Sequence, residues 1–433
     1  MNFLKQLAKN ILQYQARLVL KKYKPKIIAI TGSVGKTLTK EAIYLVLSKK
    51  FFVRKSERSF TTELGLPLAI LGCPFGFTTP LQLIKNIFLG LKLLAYKNRY
   101  PQWLILEIDG DKPGDFEHAS AILSIDILIV TAIGDVPSHV ETFYNVDNYI
   151  YEEKYIINAV KREGLIIYNT DDFQVYNLLK EVDLRKMSCG IGGDSLIQGS
   201  DFKVLYGNNK NYTVPTGMSF EITKDGEKYP VTVFDSIGIH NEYACLLAFA
   251  IGVEFGLSQS EITSSINKYK SLPGRMNIVA GIKDSVIIDD SYNSSPVAIS
   301  QALMAFESLV CAGRKIVVLG DMLELGKYSA DEHRKIASTI KNIASNVICV
   351  GFRMRKLSEE LLNLGFSESA IITADSSTEA GQELQNLLGM GDIVLIKGSQ
   401  SMRMEKIVEE VMRYPEDKAK VLVRQEPEWL NRD

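Results

Sequence analysis

A chain of 433 residues that is 46% hydrophobic and 23% charged has the make-up of a globular protein of two or three domains. Its net charge of −1 excludes an overall electrostatic pull toward nucleic acid or membrane, so any such pull must be local. The five cysteines, Cys73, Cys189, Cys245, Cys311 and Cys349, are far apart and form no Cys-x-x-Cys pair, which argues against a zinc centre or disulfide framework and for a reducing, cytoplasmic setting.

Residues 1–26 read as a basic amphipathic helix. Leu4, Leu7, Ala8, Ile11, Leu12, Leu18 and Val19 fall near one face, Lys and Arg supply the charge without a single acid, and the helix should stop before Pro25. Lysines scattered among the apolar residues leave no clean leader sequence, and no uncharged run reaches the roughly 18 residues of a membrane span.

Ile27-Ile-Ala-Ile30 then reads as a buried strand running into Thr31-Gly-Ser-Val-Gly-Lys-Thr37 and an apolar helical stretch. Strand, Gly-rich turn and helix in that order form a phosphate-binding loop. Gly32, Ser33, Val34 and Gly35 can turn backbone N–H groups toward an anion, Lys36 can reach terminal phosphates, and the Thr37 hydroxyl can hold Mg2+; the predicted ligand is ATP. The general loop carries its first glycine five residues before the second, where Ile30 stands here. The loop is therefore a shortened form.

Further strands are expected at 51–53, 61–65, 103–107, 127–131 and 165–169, the last three ending on the polar Glu107, Thr131 and Asn169, the pattern of a mostly parallel sheet with ligands beyond its carboxyl ends. Glu107, at one strand end, and His139, in the loop after another, are so placed for magnesium; the plainer readings are a solvated cap and a surface histidine. An altered segment at 74–100 holds a second basic, acid-free helix at 81–96 with Lys85, Lys92, Lys97 and Arg99. An antiparallel excursion at about 190–236 and a long apolar helix from His240 follow. The turn Leu272-Pro-Gly-Arg275 marks a boundary, after which strands at 285–289, 315–319, 346–350, 370–373 and 392–396 restart the alternation. The tail beyond about Tyr414 is charged and expected to lie on the surface. The expected architecture is α/β: a helix at 1–26, a central mostly parallel ATP-binding sheet domain at 27–271, and a Rossmann-like α/β domain at 272–433.

The shortened loop, with Thr31 directly ahead of Gly32, resembles that of the Mur ligases, which join amino acids or peptides to carboxylates using ATP. Glu107-Ile-Asp-Gly-Asp-Lys-Pro-Gly-Asp115 and His139-Val-Glu141 are similar to blocks of the branch that adds D-alanyl-D-alanine. So are Asn169-Thr-Asp-Asp172, Gly238-Ile-His-Asn241, Leu272-Pro-Gly-Arg-Met276, Asp289-Asp-Ser-Tyr-Asn293, the stretch 318–326 with His333 downstream, and Lys397-Gly-Ser399, over about residues 27 to 412. The resemblance implies that Glu107 and His139 hold a second magnesium and that Lys154 is carbamylated, which turns a repelled ammonium into an anionic oxygen ligand. It implies catalytic roles for Lys36, Glu107, His139 and Lys154, an adenine contact for Asn241, and phosphate and ribose contacts for Arg275, Asp290 and Asn293. Arg275 suits phosphate unaided, because a planar guanidinium pairs with it at two points.

The implied activity is carboxylate–amine ligation through an acyl phosphate, with a muramoyl tripeptide as acid and D-alanyl-D-alanine as amine, in cell-wall synthesis, by a monomer without a nucleic-acid partner. The alternatives are a relative acting on another peptide or polymer carboxylate, in the manner of folylpolyglutamate or cyanophycin synthetases, and a non-ligase NTPase switch. Leu38, Ala244 and Gln400 depart from the usual pattern. Family members also carry a front domain of roughly 80 to 100 residues that grips a uridine-diphosphate sugar. Here the 26 residues before the first strand resemble only its last helix. The two basic helices are expected to pack together over the sheet edge so left open, with contact to an anionic membrane surface as the alternative.

Overall fold

Strands rich in Val, Ile and Leu without strict alternation are buried on both faces, and the computed structural model, which describes residues 2–57, 64–74, 80–209 and 212–430, builds two sheets from them. The first contains β1 (Lys26–Thr31), β2 (Val53–Lys55), β3 (Trp103–Glu107), β4 (Ile125–Val130), β5 (Val160–Asn169), β6 (Arg185–Gly190), β7 (Ile197–Asn209), β8 (Tyr212–Lys224) and β9 (Glu227–Phe234). Their order is β2-β3-β1-β4-β5-β6-β7-β8-β9. The strands through β7 pair in parallel, and β8 and β9 extend the same sheet antiparallel. The chain reverses its direction of travel across the sheet at β1, which lies between β3 and β4, and the crevice beyond such a switch point is where open α/β sheets bind ligands.

Both faces of β1 are covered, and its two sets of side chains go to different cores. Ile28 and Ile30 pack with the loop helix Lys36–Leu47 and with the nearly fully buried helix Ile239–Glu254. Ile27 and Ala29 pack with Leu12, Ala16 and Val19 of the N-terminal helix Asn2–Tyr23 and with Leu83 of the helix Pro80–Ala95. Those two helices lie against each other, Lys22 Nζ donating to the carbonyls of Leu93 and Leu94 at 2.9 Å and the Tyr23 hydroxyl to Leu93 O at 2.8 Å. The N-terminal segment thus shares a core with the first sheet.

The second sheet holds β10 (Asn277–Ala280), β11 (Val286–Asp290), β12 (Lys315–Gly320), β13 (Asn346–Val350), β14 (Ile371–Ala374) and β15 (Ile393–Lys397) in the order β10-β11-β15-β12-β13-β14. Only β10 is antiparallel. Two strands escape the sequence pattern, β6, an interior strand that opens on exposed Arg185 and Lys186, and β10, a four-residue edge strand, because neither carries a long apolar run. The segment expected as a strand at 61–65 lies outside the described residues up to 63, and Gly65–Leu71 is helical. The charged tail does not simply lie on the surface. Leu422, Val423 and Arg424 are buried, and Arg424 Nη1 pairs with Glu405 at 2.8 Å, so the charge is an internal partner.

Candidate active site

β1 ends at Thr31, and the chain turns through Gly32 and Gly35 at φ 121° and 88°, the region where a side chain brings strain. A Cβ on Gly32 would also lie 2.4 Å from Thr131 Oγ1, so the loop needs glycine there for space. The amides of Ser33 and Val34 donate to Ala132 O at 2.6 and 3.1 Å, tying the loop to the end of β4. Gly35 is the N-cap of the loop helix and brings no side chain to its first turn, which leaves a helix N-terminus for an anion. Lys36 is buried, donates from Nζ to Gly32 O at 2.5 Å and pairs with Asp109 at 3.2 Å.

β3 runs beside β1 with Glu107 opposite Ile30, which carries its carboxylate to the loop. Thr37 Oγ1 donates to Glu107 Oε1 at 2.8 Å, and Lys40 Nζ pairs with Glu107 Oε2 at 2.8 Å in full burial. Lys40 was not singled out in the sequence; its signal is its place one helical turn beyond Lys36. Among the described residues no three His, Cys, Asp or Glu lie close enough to hold a metal by themselves. That fits magnesium, which takes one or two carboxylates and fills its octahedron with phosphate oxygens and water. Thr37 and Glu107 carry hard oxygen donors that would hold it.

Lys154 is exposed on the helix Val146–Asn158, away from the loop. The residue before it, Glu153, is fully buried and takes the place beside the loop: Thr31 Oγ1 donates to its two oxygens at 3.1 and 2.8 Å, and the Tyr149 hydroxyl at 3.2 Å. Burial raises its carboxyl to about 7, with Asp109 adding to the rise, against the hydrogen bonds from Thr31 and Tyr149 and the charge of Lys36. The signal was the helix register, since Tyr149, Glu153, Ile156 and Ile157 form the buried face and Lys154 stands about 100° around from Glu153.

His139 adopts φ 63° and meets carboxylates from two directions, Nδ1 against Glu324 and Nε2 at 3.6 Å from Asp111. Burial opposes its protonation, but the hydrogen bond to Glu324 and the charges of Asp109, Glu324 and Asp111 outweigh it and hold the ring above its ordinary value. Glu324 follows β12, so this contact joins the two sheets' domains, as does the Glu141 amide donating to Glu324 O at 3.1 Å. The Glu324 loop is itself pinned: Met322 N donates to His333 Nε2 at 3.0 Å and Leu323 N to Ser399 Oγ at 2.8 Å. His333 and Ser399 therefore hold the loop in shape. A second contact places Val34 and Ala132 against Val297 and Ala298, at the start of the helix Pro296–Glu307.

Between the loop and the helix Ile239–Glu254 lies a cleft lined by Gly35, Thr39, Asn169, His240, Tyr243 and Gln301. Burial lowers His240 to about 3, with Lys397 and Arg275 adding to the effect, so it lines the cleft as a neutral imidazole. Asn241 turns inward: its Nδ2 donates to Ser236 Oγ at 2.9 Å and its Oδ1 accepts from the Tyr269 hydroxyl at 2.9 Å. Arg275 lies over the Tyr292 ring, 4.0 Å from its centroid. Asp290 and Asn293 gather on a buried lysine, Lys397, which pairs with Asp290 at 2.6 Å and donates to Asn293 O at 3.0 Å.

Residues 30–252 match the family model for the Mur ligase middle domain, and residues 274–400 the one for the Mur ligase, glutamate ligase domain. The chain is 25% identical over 405 residues to UDP-N-acetylmuramoyl-tripeptide--D-alanyl-D-alanine ligase of Bacillus subtilis (strain 168), spanning 93% of this chain and 79% of that protein. The enzyme of the same name from Buchnera aphidicola subsp. Baizongia pistaciae (strain Bp) is 26% identical, over 89% and 75%. In architecture the chain is similar to MurF ligase from Thermotoga maritima in complex with ADP, with a TM-score of 0.74 and 24% identity over 93% and 83% of the two chains. A pseudomurein peptide ligase type C from Methanothermus fervidus follows at 0.61 and 18%, over 89% and 79%.

Proposed function

This chain belongs to the Mur ligase family, and on that premise we propose that it is an ATP-dependent ligase joining D-alanyl-D-alanine to a muramoyl-tripeptide carboxylate. The observation that carries the reading is the assembly of Lys36, Thr37 and Glu107 at the carboxyl ends of neighbouring strands, under a second domain that meets the loop at Val34. A carboxylate oxygen of the acid attacks the γ-phosphorus and ADP leaves; the amine nitrogen then attacks the acyl carbon, gives up a proton, and phosphate leaves. Lys36 is placed to neutralise the transferring phosphate, and the domain contact excludes water that would hydrolyse the mixed anhydride. Mg2+ held by Thr37 and Glu107 would supply further charge stabilisation at the phosphate oxygens. The names of the curated relatives support the substrates. The test is an acceptor screen with the acid offered with and without its uridine-diphosphate handle. Phosphate release that requires both acid and D-alanyl-D-alanine is expected, whereas turnover without an amine would overturn the reading.

Within that function we assign the anionic oxygen beside the loop to Glu153 in place of a carbamylated Lys154. What supports this is burial: Glu153 touches Thr31 and faces Lys36, while Lys154 is in solvent. A carboxylate fixed in the sequence needs no carbon dioxide. Ligation is therefore expected to be indifferent to bicarbonate, and carbon-13 bicarbonate NMR to show no protein carbamate. Lys154→Ala should keep kcat and Mn2+ affinity within about twofold, and Glu153→Gln should weaken both, on the order of tenfold or more. Bicarbonate-dependent activity, or loss of Mn2+ binding in Lys154→Ala, would return the role to the lysine.

A further inference from the structure

The helix Pro80–Ala95 turns only one side to the N-terminal helix. Leu83 and Asn86 are buried there, and a Cβ on Gly90 would strike the side chain of Gln15. Its other side presents Leu81, Ile84, Phe88 and Leu91, exposed by 75, 50, 65 and 48%, at spacings of three, four and three that align them in one stripe. Tyr96 continues the stripe at 66%, and on the N-terminal helix Leu7 and Tyr14, seven residues apart, are also exposed. Single exposed apolar residues are ordinary, but a contiguous helical stripe marks a contact surface.

Charge identifies the occupant. Residues 1–26 and 64–106 together contain eleven Lys and Arg and no Asp or Glu, in a chain whose net charge is −1. Lys85 and Lys92 are exposed on the helix Pro80–Ala95 with Lys97 and Arg99 just beyond its end, and Arg17 and Lys21 on the neighbouring helix with Lys24 just beyond its end. A second copy of this chain is a poor partner, because a symmetric contact would set this basic face against itself. No helix of the described residues is long and apolar enough to cross a membrane, so the face can lie on a bilayer without spanning it.

We propose that the helices Asn2–Tyr23 and Pro80–Ala95 form a docking face for an anionic lipid bilayer, with Ile84, Phe88 and Leu91 entering the headgroup region and the lysines meeting lipid phosphate. The mode is that of an interfacial amphipathic helix, in which apolar burial and attraction to anionic headgroups act together. The face is independent of the ligase reading, and its test uses no substrate.

The full chain is co-sedimented with vesicles of phosphatidylglycerol and phosphatidylcholine, and with phosphatidylcholine alone, at low and high salt. Binding to the anionic vesicles at low salt is expected, with loss in high salt because the interaction is screened over a Debye length. Ile84→Ser with Phe88→Ser, both at solvent-facing positions, should lower the partition coefficient at least about tenfold with the circular dichroism spectrum unchanged. Lys85→Gln with Lys92→Gln should lower it and weaken its salt dependence. Absence of binding to anionic vesicles, equal binding to neutral ones, or indifference to the Ser variants would each overturn the proposal. So would a lipid-free dimer in sedimentation velocity that those variants dissociate.

Discussion

Lys36 shows how a single residue's role follows from its surroundings. It is buried between the Gly32 carbonyl and Asp109, and a charge held this way must find a counter-charge at all times. Lys36→Ala is expected to reduce ligation at least about a thousandfold while the far-ultraviolet spectrum stays native, read as coupled phosphate release. Glu242 is the opposite case: neither of its carboxylate oxygens has a hydrogen-bond partner among the described residues. Burial, with Asp171 adding, raises its carboxyl from 4.5 to about 8. Native Glu242 thus holds a proton that the unfolded chain releases between those values. Its stabilising contribution is fully present below the unfolded value and is lost as pH rises toward 8. Glu242→Gln should flatten this dependence in thermal melts and stabilise the protein at pH 8 by about 1 to 3 kcal/mol.

At the scale of elements, register decides which residue faces the loop. The helix Val146–Asn158 packs Tyr149 edge-on against Phe116 and Phe143, and this anchoring turns Glu153 to the loop and Lys154 to solvent. The helix Ile239–Glu254 similarly brings His240 to the cleft and sends Asn241 into a pocket of Ser236 and Tyr269. The C-terminal segment is held to β11's loop by Arg424, which donates to the carbonyls of Ser291 and Tyr292 as well as to Glu405. Arg424→Ala leaves the buried Glu405 carboxylate with Arg403 as its remaining cation and two carbonyl acceptors, Ser291 O and Tyr292 O, unfilled. A loss of about 3 kcal/mol in denaturant unfolding is expected.

For the whole molecule, the site lies between two separately wound sheets, so its completeness depends on their contact. Gly134 and Val297 meet so closely that a Cβ on the glycine would stand 1.9 Å from a Val297 methyl carbon. Val297→Trp should therefore wedge the domains apart without unfolding either. The expected result is a fall in kcat of tenfold or more, on the order of what is lost when a closing domain no longer positions its groups. Small-angle scattering should show a larger radius of gyration, and an unchanged radius with full activity would place closure elsewhere.

Much of this was legible in the chain itself. Long Val- and Ile-rich runs buried on both faces announced most strands of both sheets, and the loop at 31–37 could be read because glycine spacing, Lys36 and Thr37 act within one turn. Thr37 and Glu107 could also be paired in advance, since parallel strands deliver their ends to one edge. Only the tertiary structure decided the rest. That Glu153 faces the loop and Lys154 solvent, that His240 lines the cleft while Asn241 turns inward, and that Glu324 meets His139 depend on helix rotation and on contacts between residues more than a hundred positions apart. Local pattern describes which residues can share a face. Which face is buried, and against what, is set by packing between distant segments, and no short window of sequence contains that information.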